Sequence, residues 1–410
     1  MRCRQLGDLC FFYRGSSIPR ARMHERGDYL YIHYGDLYKG FELRIDVESP
    51  QKPIPYVLSN ERIKDTQWLR DQDIVCVLTS ETVADLGHSF IFNNPEALPA
   101  VAGTETTIVR VDRRDLILPS YLNYFMQTSQ FKALLRQYVK GMKVFRVHPD
   151  DLARIEINLP SLDEQRKVVA FFDALFNKQL LNMHINDYLS EIMEACYRRL
   201  FSYSNQRYGS IYDIADVVYG AAFSSKLFNE EGTGWPLIRI RDLDTCSPQF
   251  FTGEAHPKRT FIYPGDVIAG MDADFKPTLW LGDTGVLNQR VCEFLPPENT
   301  AVTKSYLLCA MRPLLAYIQN YATGTTVAHL GKSDLEMLNV PLPEEKDLIH
   351  FGEICEPIRH AIVSNAREVK RLSSLRDCLL PKLMSGEIDA SKVKLPVQPN
   401  NHLSQNVKPD

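Results

Sequence analysis

"LPSLDEQRKVVAFFDALF", residues 159–176, reads as a carefully started helix that runs on far beyond what a globular domain needs. Ser161 followed three residues later by Glu164 makes a capping box, whose hydroxyl and carboxylate satisfy free backbone N–H groups reciprocally, and Pro160 keeps the preceding chain out of the helix. The pattern places the helix start at Leu162. Apolar side chains then follow a 4,3 alternation through Val168, Phe172 and Leu175, a polar stretch of Gln179, Asn182 and Asn186, and then Leu189, Met193, Cys196 and Leu200. No Gly or Pro interrupts the run before Phe201, which predicts a rod of about 60 Å. A narrow seam on so long a helix predicts half of a coiled coil; a surface helix of an ordinary domain is the alternative.

A partner stands 183 residues later. "YVKGMKVFRVHPDDLARIEINLP", residues 138–160, aligns without a gap on "YATGTTVAHLGKSDLEMLNVPLP", residues 321–343, and the register continues down a second helix, Leu189 falling on Leu372 and Leu200 on Leu383. Upstream the echo is weaker: "QLGDLCFFYRG" resembles "SIYDIADVVYG", "YLYIHYGDL" resembles "PLIRIRDLD" and "RDQDIV" resembles "YPGDVI". The chain is therefore expected to hold two copies of one unit: a globular domain over residues 1–158, a long helix over 159–203, a second domain over 204–342 and a second helix over 343–386. Two matching helices predict an antiparallel coiled coil, in which Asn182 and Asn365 would meet as a buried polar pair that sets register; both facing solvent is the alternative.

Short β-rich runs such as "YLYIHY", "DIVCVL", "TTIVRV" and "DVIAG" alternate with Gly, Pro and Asp turns, followed by helical patterns at residues 119–139 and 304–321. The class expected is α+β, a tandem pseudo-repeat with curved antiparallel sheets. The polar, Pro-bearing tail over residues 387–410 is expected to be disordered.

With 410 residues, 44% hydrophobic and 24% charged, the chain has the composition of a soluble globular protein of several domains. It carries no apolar run of membrane-spanning length and no signal-peptide pattern at its start, so a cytoplasmic location with no membrane partner is expected. Nine Cys without a CxxC argue against disulfides and a zinc site, and a net charge of −4 argues against indiscriminate coating of nucleic acid. Catalytic motifs are missing: Gly331-Lys332-Ser333 lacks the upstream glycine of a phosphate loop, and no GxGxxG, HExxH or base-flipping Asn/Asp-Pro-Pro-aromatic run occurs. The carboxylate pairs Asp242 with Asp244 and Asp272 with Asp274 suit solvated turns better than a metal site.

Local charge is more informative. Residues 131–149 hold Lys132, Arg136, Lys140, Lys143 and Arg146 with no acid; the first three recur every four residues and so share a helix face, and Gly141 then turns Lys143 and Arg146 outward. Such a surface positions a phosphate backbone, an ordinary solvated face being the alternative.

"LPSLDEQRKVVAFFDAL" resembles the helix entry of the specificity subunits of type I restriction–modification systems. "LRDCLLPKLMSGEI", residues 375–388, resembles the end of their second conserved helix, and "GDVIAGMDADFKPTLWLGDTGVLNQRVCEFLP", residues 265–296, resembles one of their target-recognition domains. The second copy has "LPEEKDL" where the first has "LPSLDEQ", which leaves the start of the second helix open. The resemblance implies a noncatalytic subunit that reads an asymmetric, two-part sequence in double-stranded DNA, one half-site per domain. Two methyltransferase subunits and restriction/translocase subunits would dock on it, with S-adenosylmethionine, ATP and Mg in those partners and no cofactor in this chain. A coiled-coil scaffold without sequence-specific DNA binding is the alternative. Base reading needs Arg, Lys, Gln or Thr near turns. The DNA-binding candidates are Arg20, Arg22, Lys132, Arg136, Lys140, Lys143 and Arg146 in the first domain, and Arg239, Arg241, Lys276, Gln289, Arg290, Thr325 and Lys332 in the second; Arg290 as structural partner of a buried carboxylate is the alternative for that residue.

Overall fold

The computed structural model describes residues 2–38, 40–48, 50–201, 207–272, 274–322 and 329–392. They fall into two compact units, residues 1–176 with 373–410, and residues 177–372.

The first unit is built on a five-stranded sheet ordered Cys10–Arg14, Thr106–Val111, Ile74–Val77, Ser89–Asn93 and Arg44–Asp46, beside a three-stranded sheet ordered Tyr56–Val57, Tyr29–Ile32 and Ala100–Ala102. Every residue of Ile74–Val77 is buried, which is why that run reads as continuously apolar rather than alternating. Helix α1 (Pro119–Gln127) packs on Ser89–Asn93, and α2 (Ser129–Arg136) follows after Thr128, whose hydroxyl accepts from the Phe131 N–H. The core gathers Leu30, Ile32, Val75, Val77, Phe92 and Ile108. The sheets are mixed rather than purely antiparallel: Tyr29–Ile32 runs parallel to Ala100–Ala102 and Arg44–Asp46 parallel to Ser89–Asn93. Both pairs join strands far apart in sequence, where a long crossover permits the parallel direction.

The second unit repeats the plan. Helices α3 and α4 are Leu162–Phe201 and Lys304–Ala322. Asp216–Tyr219, Val291–Leu295, Val267–Gly270 and Pro277–Leu279 form a sheet in the same order as the first four strands of its counterpart, covered by α4. A second sheet again contains a parallel pair, Trp235–Ile238 with Gly285–Leu287. In each unit an opening strand pairs with the strand that leads into the long helix: Arg2–Gln5 with Glu156–Leu159, and Arg207–Ser210 with Asn339–Leu342. The closing strands stand 183 residues apart, as do the helix starts, Leu162 in α3 and Glu345 in α5 (Glu345–Ser385).

The two starts differ in chemistry. Glu164 accepts from the Ser161 N–H at 2.8 Å and Ser161 Oγ accepts from the Glu164 N–H at 3.3 Å, while buried Gln165 donates to Leu116 O at 2.8 Å and accepts from Leu118 N at 2.9 Å. In α5 the place of Gln165 falls to Leu348, which joins the core of the second unit with Phe351, Cys355 and Met193. Apolar burial replaces polar capping, so the helix still begins in register.

Within the second unit α3 and α5 pack antiparallel across a polar seam. Gln179 Nε2 donates to Val369 O at 3.3 Å and Asn186 Nδ2 to Ile362 O at 3.1 Å, two contacts that exchange with each other when the helices are swapped through the 183-residue offset. Asn182 and Asn365, expected to meet as a buried polar pair, each hydrogen-bond to another partner. Asn182 Nδ2 donates to Glu368 Oε2 at 2.7 Å, and Asn365 Nδ2 to Asn186 Oδ1 at 2.8 Å. A longer carboxylate reaches Asn182 first, and Asn365 turns to the amide one helical turn further along.

Each unit also buries a carboxylate at one equivalent turn. Asp73 Oδ2 accepts from Arg70 N at 2.8 Å and Asp266 Oδ2 from Tyr263 N at 2.6 Å. Asp73 pairs with Arg110; Asp266 pairs with Lys304 and crowds Glu293, whose carboxyl is pushed up to about 7 by burial and then by the Asp266 charge, against the pull of Lys304. A carboxyl raised above its ordinary value of 4.5 stabilises the fold fully below that pH and loses this contribution as pH rises through about 7. Glu293→Gln is therefore expected to gain on the order of 3 kcal/mol over the native chain at pH 8 and almost nothing at pH 4, read as the difference in urea midpoints. An equal gain at both values would refute the buried-acid account.

Residues 387–410 were expected to be disordered, but Ala390–Lys392 forms a 3-10 turn with Ala390 buried, and Lys167 Nζ donates to Ser391 O at 3.3 Å. Residues 393–410 lie outside the described residues. No helix among the described residues is long and apolar enough to cross a membrane.

Candidate nucleic-acid interface

In the first unit the central strand Ile74–Val77 runs on through Leu78, whose carbonyl accepts from Val147 N at 2.9 Å, and Thr79–Ser80 then pairs with Phe145–Arg146. The other side of the corner is a hairpin closed by Lys140 N to Arg146 O at 2.9 Å and Arg146 N to Lys140 O at 2.8 Å. Gly141 makes its turn at φ 118°, where a Cβ would lie 2.0 Å from Val144 O, so only glycine fits. The tip projects Met142, 93% exposed, and the exposed Lys143.

Beside the hairpin lies an open cleft of about 650 Å³ whose cations are Arg14, Lys140, Arg146 and Arg154. Arg146 Nη2 stands 3.8 Å from Glu105 Oε1, and Lys140 Nζ 3.6 Å from Asp151 Oδ2. Lys132 and Arg136 share α2, but the helix ends at Arg136 and Lys140 belongs to the hairpin, so the three do not form one helix face. Half-buried Lys132 has its pKa lowered by burial and then by Arg136, and burial followed by Lys132 lowers that of His88. Arg20 and Arg22 occupy a 3-10 turn outside the cleft lining, Arg22 held by Glu61 at 2.7 Å.

The second unit rebuilds the same corner. Met271 O accepts from Leu330 N at 2.7 Å as Leu78 O does from Val147, and His329 bridges Asp272 as Arg146 pairs Thr79. Gly15 N donates to Thr106 O at 3.0 Å and Gly220 N to Val291 O at 3.1 Å, which puts Glu105 and Arg290 at equivalent places. Onto this shared backbone the units hang different side chains: Thr79 against Asp272, Glu105 against Arg290, Arg146 against His329, Arg14 against Tyr219. Asp272 lies 3.5 Å from Arg290 Nε and 2.6 Å from His329 Nδ1, and Arg290 Nη1 is 3.4 Å from that ring nitrogen. The carboxylate facing Arg290 is partly exposed, not the buried partner considered for it.

The remaining candidates scatter. Arg239 caps the turn Ile240–Asp242, is 3.2 Å from buried Asp242 and lies over the Phe250 ring at 4.3 Å, a structural setting. Arg241, Lys276 and Gln289 are exposed, Gln289 next to Arg290. Lys332 opens a short helical turn and pairs with Glu336 at 3.5 Å. Thr325 lies outside the described residues. Arg14, Glu105 and Asp272 were not among the candidates; the "FFYRG" echo pointed at Arg14, whereas the carboxylates came into view only through their contacts. Among the described residues no group of three or more His, Cys, Asp or Glu side chains is placed to hold a metal ion.

Comparison with known proteins follows the same outline. Residues 1–191 and 204–350 match the family model described as type I restriction modification DNA specificity domain. The chain is 33% identical over 168 residues to the EcoBI specificity subunit of Escherichia coli, covering 41% of this chain and 33% of that protein. It is 24% identical over 353 residues to the MjaIX specificity subunit of Methanocaldococcus jannaschii, covering 76% and 77%. The crystal structure of a type I S subunit from M. genitalium matches 93% of this chain and 96% of that one with a TM-score of 0.57 at 13% identity, a likeness of fold. The chain thus spans about a third of the length of the first relative.

Proposed function

The chain belongs to the type I restriction modification DNA specificity family, and from that premise we propose that it is the noncatalytic subunit that reads an asymmetric, two-part sequence in double-stranded DNA. The observation that carries this reading is the duplicated corner: one backbone frame in both units, lined by side chains of different chemical class. Equivalent frames approach DNA alike, and unlike side chains on them select unlike bases, so one half-site falls to each unit. The basic surface around Lys132, Arg136 and Lys143 positions the phosphate backbone. The paired helices set the gap between half-sites. The catalytic parts belong to partners in the cytoplasm: two methyltransferase subunits supplied with S-adenosylmethionine, and restriction/translocase subunits that use ATP and Mg.

The test is a map of methylated adenines in a host with and without this gene. A gapped, two-part motif that disappears on deletion is the expected result. An unchanged map would refute DNA recognition and leave a scaffold role.

A further inference from the structure

Resting on the DNA reading above, we propose that Arg146 and Arg290 are the guanine readers of the two units, that Glu105 and Asp272 are the residues that position them, and that each half-site therefore contains a G·C pair at the step this corner meets. The two arginines do not occupy equivalent places. Arg146 matches His329 at the 183-residue offset, and Arg290 takes the place of Glu105 by the Gly15–Thr106 and Gly220–Val291 backbone bonds. Acid and base have moved around the frame, yet in each unit an exposed arginine of the frame faces a carboxylate of the frame, at 3.8 Å in the first unit and 3.5 Å in the second; the first unit's cleft also holds the pair Arg154–Asp151, outside the duplicated frame.

Such a pair is poorly explained by folding or by charge. The guanidinium side chains are 64% and 53% exposed, and exposed ion pairs add little to stability. A neutral pair also releases few counterions, and its carboxylate repels phosphates, so it does not serve backbone binding. What a carboxylate does supply is orientation. Arg290 comes nearest Asp272 through Nε, and Arg146 nearest Glu105 through Nη2, so one nitrogen of each planar fork faces a carboxylate while most of the side chain stays exposed. Exposed guanidinium N–H groups match the O6 and N7 acceptors of guanine in the major groove, the contact that reads one base pair unambiguously. In the second unit His329 Nδ1, 2.6 Å from Asp272, donates to the carboxylate that faces Arg290 and so fixes its orientation.

The experiment uses the assembled complex of this chain with its methyltransferase subunits, and as probes a duplex bearing the wild-type methylation motif together with its single-base variants. Arg146→Ala should erase the preference at one G·C step in one half-site and Arg290→Ala at one step in the other, each lowering discrimination there by about 5- to 150-fold and leaving the other positions intact. Arg146→Lys and Arg290→Lys, which retain charge, should lose the same preference. Glu105→Gln and Asp272→Asn should weaken it in part. Uniform loss across all duplexes, with the salt slope reduced by about one, would mark phosphate contacts and overturn the assignment, as would motifs left unchanged. If the wild-type complex itself shows no gapped motif, the DNA reading fails; if it shows one that the variants leave untouched, only the arginine assignment fails.

Discussion

Asp73→Ala is expected to destabilise the first unit by about 3–5 kcal/mol, because it breaks a buried ion pair from one side. Asp73 is 1% exposed, and its two oxygens accept from Arg110 Nε at 2.8 Å and Nη2 at 2.6 Å and from the Arg70 amide at 2.8 Å. Arg110 also donates to Trp68 O at 2.8 Å and lies over the Tyr13 ring at 5.3 Å, so it stays in place as an uncompensated cation when the carboxylate goes. The loss approaches the whole stability of a small domain. Replacing both partners, Asp73→Ala with Arg110→Leu, should recover much of it, since the remaining desolvation penalty vanishes with the charge. Urea unfolding of the single and double variants decides the matter: a double variant no better than the single one would show that the pair's value lies elsewhere.

The second large effect concerns the gap in the DNA target. Seven residues inserted after Asn182 and seven after Asn365 keep the heptad phase of both helices and lengthen the pair by about 10 Å, close to three base pairs of duplex. The methylation motif should keep both half-sites and gain about three base pairs between them. An insertion in α3 alone misaligns Gln179, Asn182 and Asn186 with Val369, Glu368 and Ile362, and should abolish methylation at the motif. A matched insertion that leaves the gap unchanged would sink the spacer role.

Local rules carried far in this chain because its two copies corroborate each other. A capping box and a seam define α3, and the constant offset then locates α5 although "LPEEKDL" lacks the hydroxyl cap. What the sequence hid depends on partners distant along the chain. Periodicity marks Tyr29–Ile32 as a strand but says nothing of whether Ala100–Ala102 lies parallel to it. A four-residue spacing put Lys140 on a helix face, yet the backbone bonds to Arg146 claim it for the hairpin. Glu105 reads as an ordinary turn residue until the fold brings Arg146 across from it, 41 positions later in the sequence. At the seam, amphipathic pattern predicted contact between polar side chains and could not choose among neighbours within one turn.

Among the described residues, the first unit is assembled from two separated stretches of chain, one before position 177 and the other residues 373–392. Leu380, Leu383 and Met384 are buried at the end of α5, in a unit whose described residues, apart from 373–392, precede position 177. During translation the ribosome must therefore finish the entire second unit before the first receives its last helical segment. The order of synthesis is thus reversed in the order of completion: the module made first is sealed last. A nascent chain arrested before residue 373 should therefore leave that module without its last helical segment.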